Sequence, residues 1–479
     1  MLETAEATID QARLSFLRWL VEEEQARQDN YRTYREYYDG VHSAQLTDRQ
    51  RKYLQVKAGE EFRLNYCPVV VDSLCEKLSV TGFDADAQSE LLWEWWTANR
   101  MDGVQGSIHL AAVRDGDAYL MVEWDNERGL PVFSYEEAAC DGEGVKLVYS
   151  DERNVPLCAT KRWRVKSGDG VGDVRRLNVY YPDRIEKFVS RSSAFEGDWQ
   201  PYQEPGQPWP IPWLDKASQP LGVPVVHFRN KNQGYNYGVS ELADVLSIQN
   251  ALNKSMLDLL AAADTTAFRI FWMIGDDPSG LTVAPGSWVY SSHPPAGEDG
   301  AAVGYFPGED LSKLIALKDS VAMEIARVTR TPISYFQISA QRAAEGTLKQ
   351  EESGIVGKAK ERQVSFGNAW EDALAIARRL WNTWGPGPEM DGAQSISTVW
   401  QDPQSRNEKE HLEGLELKMK LGVPKKQLWR EAGYNDSQIA DMEQMEEEAE
   451  AATGSLGERL LRAFERGTPT AQTPEAGEA

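Results

Sequence analysis

A chain of 479 residues, 41% hydrophobic and 26% charged, is long enough to bury a large core and predicts a globular protein of two to four domains or lobes. Its 75 acidic against 51 basic residues give a net charge of -24, which excludes a surface that grips DNA across its whole breadth, since that needs Lys and Arg to neutralise phosphates. A local cationic ring stays open, no apolar run approaches a membrane span, and Met1 to Glu6 lacks the basic-then-apolar order of a signal peptide, so the chain is expected to stay in the cytoplasm.

From the N-terminus, Ile9, Leu14, Phe16, Leu17, Leu20 and Val21 recur at helical spacing. Tyr31, Tyr34, Tyr37 and Tyr38 before Asp39-Gly40 predict an aromatic helix closed by a glycine cap. Pro68 predicts the start of a helix through Val69, Val70, Leu74 and Leu78 that ends near Gly82. Trp93, Trp95 and Trp96 fall on a further helix, where such a stripe reads as core or subunit contact before a ligand cage. Between Tyr119 and Val189 the period falls to two, and Tyr119 to Trp124, Val145 to Tyr149, Thr160 to Val165 and Leu177 to Tyr181 predict strands. The run Gly168 to Asp173 superficially resembles a nucleotide loop, but it joins two predicted strands and reads as a hairpin tip. Proline-dense Trp199 to Pro224 reads as a linker or a long irregular arm.

The middle of the chain carries a distinctive order. Ser240 offers an N-cap, and Leu242, Val245, Leu246, Leu252, Met256, Leu259, Leu260 and Ala263 predict a helix to about Asp264, roughly 37 Å long. Turn clusters at Asp276 to Gly280, Pro285-Gly286 and His293 to Gly297 then separate short strands at Phe268 to Ile274 and Trp288 to Tyr290. Leu311, Leu314, Ile315, Val321, Ala322, Ile325 and Val328 restore the helical period until Pro332 stops it. After a short loop, Thr347 to Trp384 predicts one helix of roughly 57 Å, with Ser353-Gly354, Gly357 and Ser365 with Gly367 as places where it could kink. Ser405 with Glu408 forms a capping-box pattern, His411 to Leu421 continues a helix to Gly422, and Pro424 opens another. No basic residue occurs between Glu431 and Gly457, where Glu446-Glu447-Glu448 reads as a solvated face. The tail from Thr468 is too polar to fold alone.

Local chemistry is sparse. The chain has no GxxxxGK[ST], HExxH, GxSxG or CxxC, and His42, His109, His227, His293 and His411 show no metal-ligand spacing. Cys67, Cys75, Cys140 and Cys158 are expected to be buried thiols. Asp276 and Asp277 fall in a turn, and Gly357-Lys358 lies within the long helix, without the upstream glycine of a phosphate loop. No enzyme activity, cofactor or metal is expected, and the helix, insert, helix, loop, long helix order describes a mechanical part.

Certain motifs in fixed order carry a family resemblance. They are Asn65 to Asp72 with Gly82-Phe83, Gly222-Val223-Pro224-Val225-Val226, Gly238-Val239-Ser240-Glu241-Leu242, Ile325-Ala326-Arg327 with Thr331-Pro332, and Leu348-Lys349-Gln350 through Lys358 to Gln363 and Phe366-Gly367. Over about residues 30 to 450 the chain resembles the portal, or head-tail connector, proteins of long-tailed double-stranded-DNA bacteriophages. Where that family often has Ser-Gly before the long helix, this chain has Ala343-Ala344-Glu345-Gly346-Thr347.

The resemblance implies an α+β portal fold. Residues 1–230 would form a wing of helices and a β-meander, 238–267 and 311–330 two stem helices, and 268–310 a β-containing clip. Residues 331–346 would be a tunnel loop, 347–403 a long kinked helix and its return to the wing, 404–453 a helical crown, and 454–479 a C-terminal helix and disordered tail. It further implies a homo-oligomeric ring, usually of twelve subunits, at one capsid vertex of the virion, assembled in the host cytoplasm and not in a membrane. The terminase large subunit would drive double-stranded DNA through it, and the DNA would leave by the same route into the tail. A head-completion or connector protein and the major capsid and scaffolding proteins would be further partners. Gln337, Gln341, Arg342 and Lys349 are the channel candidates, and Trp272, Asp276, Asp277, Trp288 and Tyr290 the clip candidates for terminase or connector contact. Acid-rich 431–457 could also repel packaged DNA. The rival readings are a non-conducting capsid scaffold or other packaging-associated structural protein, and a packaging nuclease or ATPase.

Overall fold

The computed structural model describes residues 11–41, 64–150, 155–165, 174–191, 199–231, 236–267, 271–274, 288–291, 302–305, 310–336, 345–404, 408–432, 439 and 442–445. The chain divides into two compact units, Met1–Gln404 and Ser405–Ala479. In the first, the helices are α1 Gln11–Gln25, α2 Gln28–Tyr38, α3 Cys67–Cys75, α4 Ser89–Ala98, α5 Met101–Asp115, α6 Leu246–Ala267, α7 Leu311–Thr329 and α8 Glu345–Trp384. Its strands are β1 Val80–Asp84, β2 Asp117–Asp125, β3 Leu130–Glu137, β4 Gly144–Tyr149, β5 Pro156–Val165, β6 Val174–Tyr180, β7 Arg184–Ser190, β8 Gln200–Pro201, β9 Ile211–Pro212, β10 Val225–Arg229, β11 Phe271–Ile274, β12 Trp288–Ser291, β13 Ala302–Tyr305 and β14 Ser397–Trp400. Helix and sheet are thus mixed in one unit, as an α+β class requires.

Strand β2 explains how the layers stack. It lies between β10 and β3 in an antiparallel sheet, and its first six residues are all buried. Ala118, Leu120 and Val122 enter the main core with Ile108 and Ala111 of α5 and Phe366 and Trp370 of α8. Tyr119 and Met121 point the other way, into a second core with Val145, Leu147 and Ala159 of the next sheet. A strand covered on both faces reads as a continuous apolar run, which is what Tyr119 to Val122 is. The second sheet has the order β4-β5-β6-β7-β8, with β9 also on β7, and Leu17 and Leu20 of α1 cover its far side with Val179 and Phe188.

Several local expectations change. The helix begun by Pro68 ends at Cys75, and Gly82 lies within β1, because residues 80–84 pair with β14 from beyond the long helix. Residues 199–224 are no free linker, since β8 and β9 both pair with β7 and Trp199 and Trp213 are buried. Strands β5 and β6 pair antiparallel up to Val165 and Val174, so the glycine-rich run joins two strands as read, although residues 168–173 themselves lie outside the described residues. Trp95 and Trp96 are core, and Trp96 meets Trp370 edge-on with centroids 4.8 Å apart. All four cysteines are free, with Cys67, Cys140 and Cys158 buried. The long helix runs unbroken from Glu345 through Gly354, Gly357 and Gly367 to Trp384, 40 residues or about 60 Å.

In the second unit, α9 Glu408–Lys420 is followed by Gly422 at φ +87°, the left-handed conformation that a glycine accepts without strain. Pro424 precedes α10 Lys425–Glu431. Ser405, the tail from Thr468 and the triple-glutamate run lie outside the described residues.

Candidate functional site

Helices α6 and α7 pack against each other as an antiparallel hairpin. Leu252 near the start of α6 and Ala322, Ile325 and Ala326 near the end of α7 all enter the main core, so these two ends form its root. The opposite ends lead into the insert, where β11 pairs parallel with β12 and antiparallel with β13. Trp272 is half-buried opposite Val289 and Gly304, and a Cβ on Gly304 would stand 2.5 Å from its indole, so the missing side chain is what admits the ring. Trp288 pairs with Phe271 and Tyr290 with Met273. Trp272 thus takes one register position of the insert sheet and Trp288 and Tyr290 the alternate positions, so the strands do not bring the three onto one face, while Asp276 and Asp277 lie outside the described residues.

The hairpin root is tied down by polar groups. Helix α6 begins at Leu246, later than the Ser240 start predicted from sequence. Residues 241–245 form tight turns instead, because the Glu241 amide donates to Val113 O at 3.0 Å and that of Val245 to Leu242 O at 2.9 Å. Ser240 caps these turns and not α6, its hydroxyl accepting from the Leu242 amide at 2.9 Å while donating to Arg114 O. Gly238 is required here, since a Cβ would lie 2.1 Å from the Gly116 carbonyl. Its amide donates to Asp117 at 2.6 Å, and Arg27 donates to its carbonyl at 2.6 Å. On α6, Gln249 and Asn253 accept from the Tyr66 and Leu64 amides at 3.1 and 3.0 Å, and Tyr37 donates to Asn250 at 2.9 Å.

Two buried charge networks flank this root. In the first, Glu241 receives Lys358 at 2.7 Å, Arg362 at 2.9 Å and Lys231 at 3.6 Å. Burial pushes the Glu241 carboxyl up, but these cations pull it down further, to about 2. Burial lowers Lys358, against the raising effect of Glu241. The same ammonium donates to the Thr329 carbonyl at the end of α7 at 2.8 Å, and Arg362 donates to Asn230. In the second network, Asp117 accepts from Tyr31 at 2.7 Å and from His227 Nε2 at 2.8 Å, and Tyr149 meets His227 Nδ1 at 2.8 Å. Burial holds His227 below its ordinary value, so neutral imidazole donating to Asp117 and accepting from Tyr149 satisfies every atom. Asp117 is pushed up by burial and brought below its ordinary value by His227 and Arg27.

Of the channel candidates, Lys349 lies in the backbone of α8, while Gln337, Gln341 and Arg342 lie outside the described residues. Helix α7 ends at Thr329 on Arg330 in the left-handed conformation, φ 54°, with Pro332 two residues later. The pairing of Glu241 with Lys358 and Arg362 was missed from sequence, because the partners lie more than a hundred residues apart. A signal was present: Ile355, Ala359, Arg362 and Phe366 form one helical stripe, all buried, with a cation in the middle. Among the described residues no cluster of His, Cys, Asp and Glu could hold a metal ion, and no helix is long and apolar enough to cross a membrane.

A family model described as "Phage portal protein, SPP1 Gp6-like" matches residues 17–455. The portal protein of Mycobacterium phage D29 is 24% identical over 431 residues, covering 82% of this chain and 81% of the relative. That of Mycobacterium phage L5 is 23% identical over 433 residues, with the same coverage.

Proposed function

The chain belongs to the SPP1 Gp6-like family of phage portal proteins, and from that premise we propose that it assembles into a ring, of twelve copies by family precedent, that conducts double-stranded DNA. A portal is a structural component of the phage capsid. In the proposed assembly α6 and α7 are the stem, the insert 268–310 is the clip facing terminase and then connector proteins, and residues 331–346 are the tunnel loop. Residues 1–230 with the return of α8 form the wing, and 404–453 the crown. Gln337, Gln341, Arg342 and Lys349 are the proposed channel contacts, and Trp272, Asp276, Asp277, Trp288 and Tyr290 the proposed clip contacts.

The observation that carries this reading is the hairpin itself. Leu252, Ala322, Ile325 and Ala326 bury its root in the core, yet Ile315 and Leu317 on its outer half and Val328 near the root are 45%, 50% and 47% exposed in the single chain. Neighbouring hairpins in a closed ring would cover them, with two different faces meeting at every interface. A chain of net charge -24 also suits transport, since a phosphate held tightly at one point would have to be released at every step.

Light scattering after size exclusion, with negative-stain images, tests the proposal. The expected particle is a ring of about 650 kDa for twelve copies of a 53.8 kDa chain, with a central hole. A solid particle with no channel would overturn it in favour of a non-conducting scaffold.

A further inference from the structure

We infer that one face of α8 is a clasp that holds both roots of the helix hairpin at once, with Lys358 as its positioning residue, so that α6 and α7 follow the long helix as a pair. A single ammonium links three segments: it pairs with Glu241, just before α6, at 2.7 Å and donates to the terminal Thr329 carbonyl of α7 at 2.8 Å. The last carbonyls of a helix lack partners within it and carry its negative end, so a cation is the fitting donor there. One turn later, Arg362 reaches Glu241 at 2.9 Å and also donates to Asn230. One turn earlier, Gly354 sits against the α7 cap: a Cβ there would stand 3.2 Å from the Arg330 carbonyl and 3.3 Å from its Cβ. Residues 354, 358 and 362 recur every four positions, which places them on one face of α8.

The arrangement separates clasping from general stability. Without Lys358, Glu241 still holds Arg362 and Lys231, so no carboxylate is left bare. What is lost is the donor to a carbonyl whose residue is only 4% exposed, and with it the bond that joins the two roots. Lys358 lies about 20 Å along α8 from Glu345, so the first turns of the long helix act as an arm beyond the clasp. Under the proposed channel reading that arm carries the tunnel loop, and its displacement would reach both stem helices through this joint. The link to the loop rests on that reading, whereas the clasp itself does not.

Amide hydrogen exchange on the assembled full-length chain tests the clasp without DNA, so its failure and a failure of the channel assignment give different results. In Lys358→Met, exchange is expected to rise about tenfold or more both at 326–331 and at 246–250, while the β5–β6 pair stays at its original rate. Gly354→Ala keeps every charge but presses α8 away from Arg330, and the same two segments should loosen together, to a smaller degree. This second variant carries the test if Lys358→Met does not assemble. Loosening of 326–331 alone would reduce Lys358 to a helix-end contact, and a uniform rise across the chain would reduce it to bulk stability; either result overturns the clasp.

Discussion

The two ends of the α6–α7 hairpin are built by opposite rules. At the root, Leu252 and Ile325 are fully buried and the polar Gln249 and Asn253 are buried with their bonds made. At the outer end, Ile315 and Leu317 stand about half exposed, and Leu259 and Leu260 are only partly covered. One chain therefore completes the core-facing side of the root alone, whereas the outer half, and Val328 near the root, present apolar surface that a second body would cover. The contrast separates what folding of a single copy requires from what the proposed ring would add.

The largest expected effect is at the root. Glu241→Gln leaves Lys358, Arg362 and Lys231 around a neutral amide, and breaking a buried pair this way typically costs about 3–5 kcal/mol. Denaturant unfolding should show that loss at neutral pH. The Glu241 carboxyl sits at about 2 in the fold against an ordinary 4.5, so its stabilisation is complete above the ordinary value and disappears as pH falls through the folded one. The gap between wild type and variant should accordingly narrow from about pH 4.5 downward. A gap that is constant across this range would mean that Glu241 acts through shape and not charge.

Leu252→Ala comes next and addresses the apolar half of the root, where a truncated buried leucine costs about 2–5 kcal/mol. Its loss should appear in the stability of the isolated chain as well as in the assembly. Leu317→Ser, at the outer end, should leave the isolated chain within about 0.5 kcal/mol. Assembly should suffer instead: the concentration for half-maximal ring formation, read by light scattering, should rise about tenfold, or ~1.4 kcal/mol. Equal effects of Leu252→Ala and Leu317→Ser on the isolated chain would erase the distinction between root and outer end.

How much of this was legible in sequence follows from the range of each interaction. Helix α7 and the long helix were readable because Leu311 to Val328 and Thr347 to Trp384 keep one period over many turns. Strand β7 was missed because Arg184, Glu186 and Lys187 dilute its alternation, and β3 because Pro131 stands near its start. Gly82 was misplaced because its partner, Val399, is more than three hundred residues away. The root charges escaped for the same reason, as Glu241 and Lys358 look ordinary until the fold brings them together. Even so, Arg362 within an otherwise apolar stripe could have been flagged from spacing alone.

The smallest effect concerns the cap that joins α7 to the clasp. Arg330 adopts φ 54°, where an L-residue is strained by about 1–2 kcal/mol and glycine is not. Glycine loses more freedom on folding, about 0.5–1 kcal/mol, so Arg330→Gly should stabilise the chain by about 0.5–1 kcal/mol, seen as a small rise in Tm. The informative measurement is the pair. Gly354→Ala alone meets the Arg330 Cβ at 3.3 Å, whereas in the Arg330→Gly background that atom is gone and only the carbonyl at 3.2 Å remains. Gly354→Ala should therefore cost less in that background, a coupling of the kind that residues in contact show. Strict additivity would mean that the long helix does not bear on the cap through this side chain, and that the root is joined to α8 by Lys358 and Arg362 alone.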